Sequence, residues 1–373
     1  MKKLVYFSHG LSANGIETFL VNVLQKLDKT KYDVTVIIAI DEGVETLHGE
    51  RVRDMGVRVI HAGDLDSARK KLDYIRNVNR ILKSNSFDIA HSNMDLLNGI
   101  TLLLAKKAGI RKRICHAHNS KSQYKPSGRL AFVKKLIQSV YYFLMKKLIL
   151  FSSTDLISCS EVAGEYFYGK RNSDIIYNGI MTDKFIMPSD FNASDYAGSI
   201  GCSGEEKHRI VSVGRLSMQK NPAFALEIIA ELKKLRNDFS YIWVGTGELE
   251  NEIKAKVRAL GLEDTVILTG VRTDVPQILG VCDCFLMPSL FEGLPFSLVE
   301  AQAAELKCVV SDVVTRTADI GLVKYVSLEK TAGEWAREID DLLDKPAPAK
   351  NMEKAKLFDI SNTVKQLEEI YDK

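Results

Sequence analysis

Short apolar runs alternate with helical stretches along this chain, and the alternation begins afresh half-way. Strands are predicted at residues 4–8, 33–40, 57–61, 87–92, 113–116, 155–160 and 174–177, then again at 210–213, 241–244, 266–268, 284–287, 309–311 and 325–327. Strands separated by helices imply parallel sheets covered on both faces, so the fold class is α/β. A length of 373 residues exceeds what one hydrophobic core organises, which favours two domains. Residues 187–208, rich in Ser, Gly, Asp and Asn and without a period, read as the linker.

Composition excludes several classes. Apolar residues at 46% and charged residues at 27% describe an ordinary globular protein. No run of eighteen apolar residues is present, so no membrane-crossing helix is expected. The start, MKKLVYFSHG, has too short an apolar run for a signal peptide and reads as a first strand, which points to the cytoplasm. The cysteines lack paired metal spacing, and Cys282 and Cys284, two apart in a strand, read as buried thiols. Net charge is only +3 and no nucleic-acid-binding motif occurs, so nucleic acid is not expected as a partner.

The chemistry concentrates in PSLFEGLPFSLVEAQA (288–303). The apolar run before it leads into Glu292 and Gly293, and Pro295 then opens an Ala-rich helix, giving strand, loop, helix. Ser297 and Glu300, three apart, would share one helix face. The unpaired amides of such a helix start favour an anion, typically phosphate. Carboxylates beside an anion site suit a nucleotide-sugar, whose hydroxyls need acceptors while its diphosphate needs donors.

Glu292 and Glu300 stand eight apart, and the run resembles the E-x7-E signature of retaining glycosyltransferase family 4, formerly glycosyl transferases group 1. VSVGRLSMQKNP (211–222) resembles the family's basic motif, with Arg215 and Lys220 as the pair that clamps the donor's diphosphate. WVGTGELE (243–250) and LTGVRTDV (268–275), the latter carrying Arg272, follow in family order, and IIYNGIMTDKF (175–185) resembles the segment joining its two domains. Either cation alone would read as a solvated loop residue; the ordered set does not.

The resemblance implies a GT-B architecture, two Rossmann-like domains facing a central cleft: an acceptor-side domain over 1–185, a nucleotide-sugar domain over 186–350, and a closing helix over 351–373 that crosses back. It implies that Glu292 contacts the donor sugar and that Glu300 holds the ribose. It further implies that Gly293, Leu294, Pro295, Phe296 and Ser297 would line the donor, with Arg272. Gly15, in a loop where relatives often carry a glycine pair and this chain has Asn14, would approach the donor phosphate. His118, rather than His116, would lie near the donor sugar.

The implied activity is retaining, metal-independent transfer of a hexose from a UDP- or GDP-sugar to a saccharide or lipid-linked saccharide, as in bacterial capsule or exopolysaccharide synthesis. No cofactor and no metal are expected. One rival is a metal-dependent transferase using Asp64 and Asp66; another is a non-catalytic saccharide- or nucleotide-binding protein. A nicotinamide enzyme is disfavoured because SHGLSANGIE offers only Gly10 and Gly15 and no G-x-G-x-x-G.

Twelve Lys and Arg fall between Lys106 and Lys147, and no Asp or Glu between Leu96 and Thr154. Within residues 128–150 the apolar stripe Leu130, Val133, Ile137, Val140 and Leu144 would face the core. Phe132, Leu136, Tyr142 and Phe143 would stay uncovered beside Lys134, Lys135, Lys146 and Lys147. Apolar and basic side chains together suit an anionic membrane surface, so peripheral contact with the inner face of the cell membrane is expected.

Overall fold

The computed structural model describes residues 1–12, 15–40, 47–119 and 131–373. It divides into two compact units, Met1–Gly179 with Ile360–Lys373, and Ile180–Asp359.

The first unit holds seven strands: β1 (Lys2–Ser8), β2 (Tyr32–Ile38), β3 (Arg58–His61), β4 (Ile89–Ser92), β5 (Lys112–Ala117), β6 (Asp155–Ser158) and β7 (Asp174–Ile175). They pair in parallel in the order 3-2-1-4-5-6-7. The second unit holds β8 (His208–Val213), β9 (Phe239–Val244), β10 (Val266–Gly270), β11 (Cys284–Met287), β12 (Lys307–Ser311) and β13 (Val323–Val326). Their order is 10-9-8-11-12-13, again all parallel. All thirteen predicted strands are present, shifted by at most a few residues. Central strands such as FSYIWV and KCVVS are buried throughout because helices cover both faces, which is why they read as mostly apolar runs.

In each sheet the chain works outward from one strand in both directions. The resulting switch points lie between β1 and β4 and between β8 and β11. A crevice opens there at the carboxyl ends of the strands, the place where open α/β sheets bind ligands.

The unit boundaries fall at 179/180 and 359/360, displaced from the expected 185/186 and 350/351. Residues 187–208 are no simple linker: they carry the helix Ala193–Ser199, capped by the Asn192 side chain, and belong to the second unit. The expected closing helix is two, Met352–Leu357 and Ile360–Asp372, and the second packs on the first unit through Leu367, Ile370 and Tyr371. All the cysteines are free thiols, and Cys284 is buried while Cys282 is half-buried.

The helix Ala131–Ser152 departs from expectation. The stripe assigned to the core points to solvent, with Val133 48%, Ile137 65%, Val140 51% and Leu144 54% exposed. Phe132, Leu136 and Phe143 are exposed as well, while Tyr142 is half-buried and Leu130 lies outside the described residues. Only the carboxyl-terminal part is anchored: a side chain at Gly99 would meet the Met145 carbonyl oxygen at 3.1 Å. Lys146 is also not lipid-facing, since it donates to the Tyr166 carbonyl and lies 3.9 Å from that ring's centroid.

Candidate functional site

The second unit's switch point carries the densest set of predicted residues. The loop after β8 brings Arg215 and Lys220, and the loop after β11 brings Glu292. Cross-links tie these loops into one body. The Leu290 amide donates to the Gln219 carbonyl at 2.8 Å, the Gln219 side-chain amide donates to the Phe291 carbonyl at 3.1 Å, and Asn221 Nδ2 donates to the Pro288 carbonyl at 3.2 Å. Asn221 itself takes a left-handed backbone, φ 54°, before Pro222 opens the next helix. Sequence reasoning passed over Gln219 and Asn221, which sit in the quoted motif without charge.

Lys220 Nζ donates to Glu292 Oε1 at 2.8 Å, and the two side chains are only 17% and 6% exposed. Gln219 Nε2 holds the other carboxylate oxygen at 3.2 Å. Two residues predicted for separate roles thus form one nearly dry ion pair. The Arg215 side chain, by contrast, is exposed, and its guanidinium has no hydrogen-bond or ion-pair partner among the described residues.

The loop bearing Arg215 is braced from behind by WVGTGELE. The Leu216 amide donates to the Thr246 carbonyl, the Leu249 amide to the Leu216 carbonyl, and Trp243 Nε1 to the Gly214 carbonyl at 3.0 Å. A methyl group at Gly247 would sit 2.7 Å from the Leu216 nitrogen and carbonyl carbon, and one at Gly245 would sit 2.9 Å from the Gly214 carbonyl carbon. Both glycines are needed for backbone approach, a role the bare G-T-G spacing left unread.

The helix after Glu292 runs Phe296–Ala303, with Pro295 at its cap position and no side-chain cap. Its first amides are therefore left to an incoming acceptor. Gly293 and Phe296 are half-buried, and Leu294, Pro295 and Ser297 are buried. Glu300, one turn in, has its carboxyl pushed up to about 7 by burial. Arg272 is not free: its guanidinium holds both oxygens of Asp274, at 2.9 and 2.6 Å.

Gly15 and His118 belong to the first unit. Gly15 opens the helix Gly15–Lys26, while Asn14 lies outside the described residues. His118 is buried, with Nδ1 3.1 Å from Asn178 Oδ1 and Nε2 2.8 Å from Asn93 Oδ1, and burial pulls its pKa down to about 3. It stacks on His116 at 4.1 Å between centroids, so the two rings share one side although β5 ends between them. His116 in turn meets His91, whose Nδ1 lies 2.7 Å from the Tyr371 hydroxyl.

Asp64 and Asp66 hold the Lys70 ammonium at 3.0 and 2.9 Å. Among the described residues no three His, Cys, Asp or Glu are placed to share a metal ion.

Comparison with known proteins decides the family. The profile for glycosyl transferases group 1 matches residues 202–357, and that for glycosyltransferase family 4 matches residues 13–184. The putative glycosyltransferase EpsF of Bacillus subtilis is 30% identical over 91% of this chain and 87% of its own. This chain belongs to the family 4 glycosyltransferases.

A second relative is an Escherichia coli UDP-Gal:alpha-D-GlcNAc-diphosphoundecaprenol alpha-1,3-galactosyltransferase. It is 28% identical over 65% of this chain and 62% of its own. Among solved structures, Anabaena HepE in complex with UDP and glucose superposes with a TM-score of 0.79 over the whole of both chains at 17% identity. The fold is GT-B.

Proposed function

We propose that this glycosyltransferase moves a hexose from a UDP- or GDP-sugar to a saccharide, free or lipid-linked, with retention and without a metal, in the synthesis of bacterial surface polysaccharide. The observation that carries the donor side is the Lys220–Glu292 pair at the β8/β11 switch point, flanked by a free Arg215 and an uncapped helix start. As the donor bond breaks, negative charge grows on the diphosphate, and Arg215, Lys220 and the amides after Gly293 stabilise it where it develops. The sugar becomes oxocarbenium-like, and Glu292, fixed by Lys220 and Gln219, orients it. The acceptor attacks from the leaving-group side and the departing phosphate takes its proton, so no side-chain nucleophile is needed. Glu300 accepts from the ribose hydroxyls. HepE's complexes with UDP and glucose agree with a uridine donor, and the E. coli relative's name with a lipid-linked acceptor.

The outward apolar face of Ala131–Ser152, beside Lys134 and Lys135 in a stretch free of Asp and Glu, supports contact with an anionic bilayer. No helix among the described residues is long and apolar enough to cross one.

A thermal-shift screen of nucleotide-sugars with hydrolysis as readout identifies the donor, and two variants then test the roles. Glu300→Ala raises KM for the donor, because the ribose is held alike in ground and transition states. Arg215→Ala lowers kcat about a hundredfold, because its partner charge grows during cleavage. Near-normal turnover by Arg215→Ala refutes the assignment. Activity persists in EDTA; collapse in chelator with rescue by manganese would instead favour a metal site.

A further inference from the structure

The chain's last helix reaches a row of histidines in the first unit through the Tyr371 hydroxyl. Tyr6 of β1 and His91 of β4 are partners across the ladder. His116 of β5 lies two residues past Ile114, the other partner of His91, so all three side chains project from one face of the sheet. The Tyr6 ring stacks on His91 at 4.7 Å between centroids, and His116 stacks on His118 at 4.1 Å. Tyr371, in the helix Ile360–Asp372, closes the row: its hydroxyl meets that of Tyr6 and lies 2.7 Å from His91 Nδ1. His91 Nε2 lies 3.2 Å from His116 Nδ1, so one hydrogen-bonded chain runs from Tyr371 through His91 to His116.

The anchoring is one-sided. His116 Nε2 is buried with no hydrogen-bond partner among the described residues, so the bond to His91 is the polar contact that sets the plane of its ring. His91 in turn is held at its other nitrogen by Tyr371. Burial keeps both imidazoles neutral, pulling His91 down to about 3 and His116 well below its ordinary value. A neutral imidazole has one donor and one acceptor nitrogen, so the proton position on His91 fixes that on His116. Apolar side chains would fill this face with no polar atom left to satisfy. The row instead ends on the ring against which His118 lies, and Phe19 closes the cluster 5.3 Å from His116 and 5.2 Å from His118.

We propose that Tyr371, His91 and His116 are positioning residues for transfer: the hydrogen-bonded chain from the last helix fixes the His116 ring, and that ring holds His118 at the angle at which it serves the donor sugar. This rests on the reading of His118 as a sugar-side residue and adds what holds it there. Asn93 and Asn178 hold the edge of His118 through its two nitrogens, and His116 supplies the face. The three residues act through His118, and no covalent step passes through them.

The test uses the full-length protein and hydrolysis of the nucleotide-sugar found by the donor screen. Tyr371→Phe keeps the ring and removes the hydroxyl. Tyr32→Phe is the control, because it removes a hydroxyl that tethers the same helix at Asp372, 3.0 Å away, outside the chain of histidines. Tyr371→Phe lowers kcat by roughly tenfold with donor KM nearly unchanged, as a small displacement of an orienting ring does. Tyr32→Phe keeps the wild-type kcat even where its melting temperature falls as far. His91→Gln, which breaks the chain one link on, gives the same loss as Tyr371→Phe. In a His118→Ala background Tyr371→Phe lowers kcat no further, since the residue it acts through is gone. Imidazole nuclear magnetic resonance on protein with its seven histidines isotope-labelled supplies a readout independent of activity. Tyr371→Phe moves the ring signals of His91, His116 and His118, and Tyr32→Phe moves none of them. Equal losses of kcat in both tyrosine variants, a further loss in the His118→Ala background, or a spectral change confined to His91 assigns Tyr371 to the framework and overturns the proposal. A wild-type kcat in Tyr371→Phe beside an impaired His118→Ala overturns it alone, whereas a wild-type kcat in His118→Ala overturns it together with the reading it rests on. If no nucleotide-sugar is hydrolysed, the imidazole spectra decide on the same criterion.

Discussion

Gly247→Ala tests whether WVGTGELE acts by bracing the Arg215 loop. The substitution changes no charge. Its methyl group would meet the Leu216 nitrogen and carbonyl carbon at 2.7 Å, and the carbonyl oxygen closer still, where ordinary contact begins at 3.4 Å, so the loop must retreat by at least about 0.7 Å. Neither neighbour is a flexible side chain that can swing away, and the hydrogen bonds from Leu216 to Thr246 and from Leu249 to Leu216 oppose the movement. Overpacking of this kind costs about 1–3 kcal/mol. In a protein of this size each kcal/mol lowers the melting temperature by roughly 2–4 °C. Displacing a charge-stabilising group by about 1 Å can cost about a hundredfold in turnover, so kcat should fall by roughly tenfold to a hundredfold with little change in donor KM. Gly198→Ala is the control: it lies in the helix Ala193–Ser199 with nothing within 4 Å of the added methyl, and it should be neutral or slightly stabilising. Steady-state kinetics with differential scanning fluorimetry decides. A destabilised Gly247→Ala enzyme with wild-type kcat would show that the bracing matters to the fold alone.

The Glu300 carboxyl, raised by burial to about 7, is favoured in its neutral form by the fold. Its ionisation therefore removes stability as pH rises from the ordinary carboxylate range through 7, and none is lost below that range. Glu300→Gln should match the wild type in melting temperature at pH 4.5 and exceed it at pH 8, by about 1–2 kcal/mol once solvent screening of a part-exposed side chain is allowed for. A difference that is flat or shrinks with pH contradicts the assignment. At the Ala131–Ser152 helix, burial of a Phe or Leu is worth about 1.5–3 kcal/mol and a lysine near an anionic surface about 1 kcal/mol. Lys134→Gln with Lys135→Gln should weaken co-sedimentation with phosphatidylserine vesicles and lower its salt sensitivity, whereas Phe132→Ser with Leu136→Ser and Phe143→Ser should abolish it. Equal partitioning of all three proteins would remove the bilayer from the reading.

The sheets were legible because parallel strands buried on both faces are mostly apolar, and Gly, Pro or a polar helix start often marks where each stops. The loops of the candidate site were legible for a different reason: their charges have no use in a core. Facing direction was not. Residues 131–152 carry two overlapping apolar stripes, and periodicity alone cannot say which meets the protein; the structure turns most of both outward, Tyr142 being half-buried, and settles the helix on Met145, Leu148 and Ile149. Lys146 looks like its neighbours in sequence yet is spent on Tyr166.

The residue roles read from the motif need one physical revision. Lys220 and Glu292 are 72 positions apart, were assigned to different parts of the donor, and rest against each other almost without water. Removing either leaves the other buried and unpaired, a loss of about 3–5 kcal/mol that has nothing to do with transfer. The pair also lowers the charge the ligand-free site presents. With Lys220 neutralised by Glu292, and Glu300 only partly ionised near neutral pH, Arg215 is the uncompensated cation of the two predicted for the diphosphate. On the proposed nucleotide-sugar reading, an arriving diphosphate would meet Arg215 and the bare helix amides first. Lys220 would serve it fully only as the sugar hydroxyls took over part of its hold on Glu292, so the ion pair would couple sugar placement to diphosphate stabilisation.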